Sequence, residues 1–477
     1  MRRLLASALL FLGAAAANAA TIQLSPGQNI QAAVNANPVN TTFVFKPGVY
    51  REQSIVPKDG MVFDGQGVAS LAGAKKITQW THSGATWYAT GQTQQGLVRG
   101  ECQDDFPRCN RPDDVSLQHK PLRHVGTLAE VGPGKFFFDY NADRIYIGDD
   151  PTGKVVEAAT KPFAFSGGAA GVTIKNLTIR NYATPIQDGV VTSKDGAVGW
   201  IVDNNIITKN HSIAVDAGAN WRVTNNKLNQ NGMAGYGAGG NGFVFEDNEI
   251  GGNNYAGVDY EWEGGGGKAT DSASGGVFRS NCVHGNDGPG IWLDENANGT
   301  LVESNYVFGN TGAGIMFEIS VGATIRNNTV FNNGSNAKGW FWDPQILISS
   351  ARNADVSGNV VDTPAGYGNA ITIVSQDRAP FTPATGNNVH GNTVTIRSNP
   401  SGGFGRLGAV TDVDSDINAV ASGNTMSGNT YHLASAAGDY WNWKDADRTL
   451  GQMKTLGQET GSTADATLGA APALTCP

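Results

Sequence analysis

Positive charge is in short supply in this chain. Thirty-three Lys and Arg against 42 Asp and Glu leave a net charge of −9, which argues against nucleic acid or anionic lipid as partners held by bulk attraction. An acidic polysaccharide is not excluded, because a local basic patch or a bound cation reverses the sign. Charge of either sign is sparse, at 16% of residues. After the first residues, no stretch approaches the ~20 apolar residues that span a bilayer. There are four cysteines, and without histidines at ligand spacing they offer no structural zinc site. Four cysteines suit an oxidising compartment. Cys102 and Cys109 are close enough to staple a loop, Cys282 reads as a small interior residue, and Cys476 lies in the tail.

The first residues read as an export signal. Arg2 and Arg3 are followed by an apolar run from Leu4 to Ala17 and a small-residue cleavage site, Ala17-Asn18-Ala19. Residues 1–19 are therefore expected to be removed, leaving a secreted or periplasmic protein.

Glycine and asparagine are abundant. The 64 glycines serve turns that need positive φ. Seven times an asparagine is followed five positions later by another: Asn176/Asn181, Asn205/Asn210, Asn226/Asn231, Asn248/Asn253, Asn281/Asn286, Asn305/Asn310 and Asn328/Asn333. Spacings of mostly 21 to 33 residues are the period of a solenoid, each repeat one turn of a coil. Stacked turn asparagines bond to neighbouring backbone and tolerate the left-handed conformation, so they are assigned to the scaffold. Beyond Asn333 the repeat continues through Asn359, Asn392 and Asn424 with longer loops.

Pro26 to Val34 reads as a short amphipathic helix, Thr42-Phe43-Val44-Phe45 as a strand, and Lys46 to Arg51 as a turn into the next strand. A helix here would cover the open edge of the first coil. With these features the chain resembles the pectate-lyase-like right-handed parallel β-helix superfamily, over nearly its whole length after the export segment. Residues 75–160 break the pattern. Lys135-Phe136-Phe137-Phe138-Asp139-Tyr140 and Arg144-Ile145-Tyr146-Ile147 flank an Asn-Ala-Asp turn, a hairpin signal. The expected class is all-β: a parallel β-helix solenoid with an N-terminal capping helix and a mostly antiparallel β insertion. Residues 20–74 would form the cap and first coils, 75–160 the insertion with its disulfide loop, 161–440 the active coils, and 441–477 a cap with a poorly ordered tail.

Counting from the second asparagine of each pair aligns Val258, Ile291 and Ile315, then Tyr260, Leu293 and Phe317, as inward positions. The outward sites beyond them are Glu261, Asp294 and Glu318, predicted as a carboxylate ladder with neighbours about 5 Å apart. Trp262, Trp292, Phe341 and Trp342 fall near the same turns, with Glu263, Glu295 and Asp343 close by. Exposed aromatics beside carboxylates suit a sugar-stacking cleft.

Glycoside hydrolysis needs one carboxylic acid to protonate the leaving oxygen and a second to attack or to activate water. Asp294 with Glu318 at about 5 Å would suit retention, and Glu261 with Glu318 at about 10 Å would approach inversion. Asp294 and Glu318 are expected to carry the chemistry, tuned by Glu261, with no cofactor required. The resemblance implies a rival: related lyases bind calcium through acidic residues and remove a uronate C5 proton with lysine or arginine. Asp259, Glu261, Glu263 and Asp294 would then hold Ca2+ and Lys268 would be the base, or the enzyme would be an epimerase. His211 and His284 would assist either chemistry, while Arg279 and Arg326 sit too near the repeat asparagines to be aimed at the site. A non-catalytic glycan-binding solenoid is the reading of another class. The partner in each case is a polysaccharide or oligosaccharide.

Overall fold

The structure is a computed structural model describing residues 20–270, 273–336, 339–413 and 416–477. The expected export segment lies outside the described residues. From Ile201 onward each coil carries three short strands. In the coil from Ile201, these are Ile201–Asp203, Ile206–Thr208 and Ile213–Ala217. The first two belong to a 24-stranded sheet and the third to an 11-stranded sheet, and equivalent strands of successive coils pair in parallel. Connections between parallel neighbours take the right-handed course, giving a right-handed parallel β-helix. In the three-residue strands of the 24-stranded sheet the central side chain points inward, as Val202, Ile207, Val223 and Leu228 do. Their aliphatic column, with the Trp200–Trp221 stack at 4.8 Å, fills the core.

The asparagine spacing of five follows from this geometry, since three strand residues fit between two turns. Asn226 shows the pattern. Its Oδ1 accepts the Asn205 N–H at 2.9 Å, and its Nδ2 donates to Val202 O at 2.8 Å and to Asn248 Oδ1 at 3.0 Å. Buried amides that saturate their donors and acceptors in this way replace water at the corners. The left-handed residue is the one before each ladder asparagine: Asn204, Asn225 and Asp247 have φ of 53°, 57° and 56°. The pair Asn176/Asn181 is a correction. Both occupy that left-handed position, and Leu177 and Tyr182 sit in the ladder slots, donating to Asn205 and Asn210. At the far end the stack runs Asn359, Asn392, Asn429, whereas Asn424 stacks on Asn387.

The capping helix spans Ile30–Ala36, later than expected, because Asn29 N-caps it by accepting the Ala32 N–H at 2.9 Å. Ile30 and Val34 seal the first coil. The strands from Ala74 to Ala159 leave the coil for a four-stranded and a five-stranded sheet around Phe136, Phe138, Ile145 and Ile147. Lys135–Asp139 and Arg144–Ile147 form the antiparallel hairpin. Cys102 and Cys109 are bonded.

One sequence expectation fails at the other end. Cys282 is not a lone interior thiol: it is bonded to Cys476, 194 residues on. The tail is consequently strapped along the 24-stranded sheet, where Tyr306 OH donates to Ala473 O at 2.8 Å.

Candidate active site

The candidate residues gather on the 11-stranded sheet. On it Ile291↔Ile315, Trp292↔Met316 and Leu293↔Phe317 are in register, so Asp294 and Glu318 leave neighbouring strands side by side, about 4.8 Å apart in backbone spacing. Ile291, Leu293, Ile315 and Phe317 point into the core, which turns Trp292, Met316 and both carboxylates outward. The next rung is Ser349. The preceding one is not Glu261. Lys268 pairs with Trp292 and Ala269 with Leu293, so Thr270 stands opposite Asp294. The predicted three-rung ladder has two acidic rungs.

Glu261 instead lies in a turn before the strand Gly267–Ala269. Asp259 organises that turn: its carboxylate accepts the Glu261 N–H at 2.8 Å and its carbonyl the Glu263 N–H at 3.0 Å. The chain then passes Gly290 so closely that a Cβ on Gly266 would lie 2.3 Å from the Gly290 carbonyl oxygen. This explains the run Gly264–Gly267.

The turn delivers Glu263 to Lys268, which the sequence offers both as a substrate-binding residue and as the rival base. Lys268 Nζ lies 2.8 Å from Asp294 Oδ2, 3.6 Å from Glu263 Oε1 and 4.1 Å from the Trp292 ring centre. Glu318 accepts from Trp292 Nε1 at 3.2 Å, from Ser349 Oγ at 3.3 Å and from Arg378 at 2.5 Å. The result is a chain of charged groups, Glu263–Lys268–Asp294–Glu318–Arg378, in which the two central carboxylates are neighbours and only Arg378 is substantially exposed.

Burial raises the Glu318 pKa, and the Asp294 charge adds to it against the opposing pull of Arg378 and Lys268. Glu263 is also raised, by burial first, with Lys268 opposing. For Lys268, burial pulls the pKa down, but Glu263 and Asp294 outweigh it and hold the ammonium above the usual lysine range.

Two cavities flank the chain. One of about 630 Å³ is lined by Trp262, Glu263, Lys268 and Glu295, with Lys194 and the insertion's Arg99. The other, about 350 Å³, is lined by Tyr260, Glu261, Trp292, Glu318, Trp342 and Asp343, with Gln376 and Asp412. Trp262 and Trp342 are thus cavity walls. Trp292 is only 4% exposed and Phe341 3%. Phe341 packs on the outer face of the sheet against Leu347, Val374 and Val410, so neither is the open stacking surface expected. Lys268 and Glu318 drew Trp292 inward by capturing its ring and its N–H.

Other candidates fall elsewhere. His284 and the Arg279–Glu303–Arg326 array lie on the 24-stranded sheet. His211 bonds to Asp114 and to Cys109 O, fastening the insertion to the coil. Asp259, Glu261, Glu263 and Asp294 form no group of three or more with ligand atoms within 4.8 Å of one another. Among the described residues the only three ligand-type side chains with donor atoms within 4.8 Å are Cys282, His284 and Cys476, whose cysteines are bonded to each other. Asp259 and Glu263 serve the turn and Lys268. Sequence reasoning missed Arg99 and Arg378. Both come from connections outside the repeat, so periodicity carries no signal for either.

A family model for the right-handed β-helix region matches residues 188–361. No curated protein matches the chain. Among solved structures, XylC in complex with xylose is similar at 14% identity and TM-score 0.67, covering 94% of this chain and 86% of its own. The A-module of the Azotobacter vinelandii mannuronan C-5 epimerase AlgE6 is 15% identical with TM-score 0.48, at 93% and 95% coverage. A glycoside hydrolase is 10% identical with TM-score 0.39, at 94% and 96%. The chain has the right-handed parallel β-helix fold.

Proposed function

We propose that the protein is an exported glycosidase acting on a polysaccharide or its oligosaccharides, with Glu318 as acid and base and Asp294 as nucleophile. The observation that carries this reading is the in-register placement of two buried carboxylates on consecutive strands, one beside an ammonium and the other raised by burial. Retaining glycosidases divide labour in this way between two carboxyl groups about 5 Å apart. Glu318 donates its proton to the glycosidic oxygen as Asp294 attacks the anomeric carbon and forms a glycosyl ester. The Glu318 carboxylate then takes a proton from water, which displaces Asp294, and the configuration is retained. XylC, whose structure holds xylose, supports a sugar ligand on this fold. Two disulfides support an oxidising compartment.

The elimination or epimerisation reading needs a neutral base. Lys268, tied to two carboxylates and packed on Trp292, is held protonated and argues against it. The experiment is a glycan panel followed by two signals, reducing-sugar release and absorbance of an unsaturated uronate product. Reducing ends without the absorbance, lost in Glu318→Gln and Asp294→Asn, support hydrolysis. Absorbance on any substrate, or full turnover in both variants, overturns it. Binding without turnover on every panel member would leave a glycan-binding solenoid.

A further inference from the structure

A third chamber, of about 460 Å³, lies where the insertion meets the coil turns at Gln230, Gly252 and Tyr255. The disulfide loop divides it from the catalytic groove: Phe106 and Cys109 line the chamber while packing in one apolar cluster with Trp262 and Met233, which line the groove.

The chamber wall is cationic. Arg123 lies over the Phe106 ring at 4.2 Å and Arg108 over Phe137 at 5.3 Å, so both guanidiniums are held in place. Arg108 donates to Gly126 O at 3.0 Å and Arg123 to Asp105 O. Among the described residues neither is in an ion pair, and a guanidinium has five donors to place. The carboxylate on this wall, Asp114, already accepts from His211 Nδ1 at 3.0 Å and Tyr255 OH at 2.8 Å. His124 also lines the chamber, 9% exposed, and both its ring nitrogens are buried without a partner. Such atoms call for an occupant. Burial, then the charges of Arg108, His211 and Arg111, keeps His124 neutral, so one ring nitrogen is left to accept. Pro121, Leu122 and the Tyr255 ring supply apolar surface.

We propose that this chamber is an ancillary glycan site taking a uronic acid residue, its carboxylate on Arg108 and Arg123, a hydroxyl on His124 and its ring face against the apolar wall. The assignment to a sugar rests on the carbohydrate reading above; the anionic character rests on the wall alone. Guanidinium forks match carboxylates, and a few placed polar groups among apolar surface orient a ligand. On a chain of net charge −9, such a patch is where an acidic glycan can bind.

The test is calorimetric titration of the whole chain with trigalacturonate, with its carboxyl-reduced neutral counterpart, and with inorganic phosphate. Trigalacturonate should bind at least tenfold tighter than the neutral trisaccharide. Arg123→Gln should weaken it about tenfold, the double variant with Arg108→Gln further, and Glu318→Gln should leave it unchanged. The site is refuted if trigalacturonate does not bind, if the neutral sugar binds equally, if Glu318→Gln rather than Arg123→Gln abolishes binding, or if phosphate competes as strongly, which marks a bare anion site. Binding that depends on Arg123 in a protein that turns over no glycan would sink the catalytic reading and leave this one standing.

Discussion

Lys268 places its ammonium 2.8 Å from Asp294 Oδ2, and both side chains are almost fully buried, at 11% and 6% exposure. This pair joins the two halves of the site. The lysine comes from a strand reached only after the Asp259 turn, and the aspartate from the next coil.

Removing the cation tests that pairing. Lys268→Met keeps the aliphatic stem but leaves Asp294 and Glu263 without a counter-charge. Breaking one partner of a buried pair costs about 3–5 kcal/mol, and this variant should lose roughly 3 kcal/mol in urea unfolding at neutral pH. Its kcat should fall about 100-fold, since the proposed nucleophile loses its orienting partner. Unchanged stability and rate would show that the pair has no role.

On the proposed mechanism Glu318 should set the pH dependence. Its pKa is raised by burial and then by Asp294, and as proton donor it works below that value, so kcat should fall as pH rises through it. Arg378 opposes the rise, so Arg378→Gln should move the alkaline limb to higher pH. A limb that stays put or moves acid rejects the assignment.

Stability carries the same sign. A carboxyl raised on folding contributes stability that is present below its unfolded pKa and lost as pH rises through the folded one. Glu318→Gln should therefore match the wild type in acid and exceed it at neutral pH, as read by thermal unfolding across that window. Equal curves at both ends would contradict the shift.

The scaffold amides should be expensive to remove. Asn305 accepts the Asn281 N–H at 2.9 Å and donates to Phe278 O at 3.0 Å, all within the core. Asn305→Ala leaves buried groups unpaired at about 1–3 kcal/mol each, and should lower stability by roughly 3 kcal/mol in denaturant. A loss below about 1 kcal/mol would remove the ladder from the stability argument.

The Cys282–Cys476 strap lies on the 24-stranded sheet, away from the sheet that carries Asp294 and Glu318. Cys476→Ser should release the tail and lower stability by about 2–4 kcal/mol, with turnover unchanged. Protease nicking of the tail against a normal kcat is the readout.

The repeat asparagines, the core columns and the Asp294–Glu318 pairing were all legible in the sequence. Asn286 and Asn310 are 24 residues apart, with the active strand beginning five residues after each, at Ile291 and Ile315. Equal turns make counting equivalent to geometry. Asn253 and Asn286 are 33 apart, a surplus of nine (33 − 24). All nine lie in one turn, because Gly267 begins fourteen residues after Asn253 rather than five. A spacing reports how many residues are extra but not which connection holds them, so Glu261 was placed on a strand it does not occupy.

Composition and period alone determined a coil with paired acids on one face, because strand alternation and backbone hydrogen bonding act through near neighbours. Only the tertiary structure decided that Lys268 would meet Asp294, Arg378 would meet Glu318, and the Cys102–Cys109 loop would wall the groove. Those contacts bring together segments from different turns and from the insertion, and their meeting depends on how irregular loops pack across the face, which no local periodicity encodes.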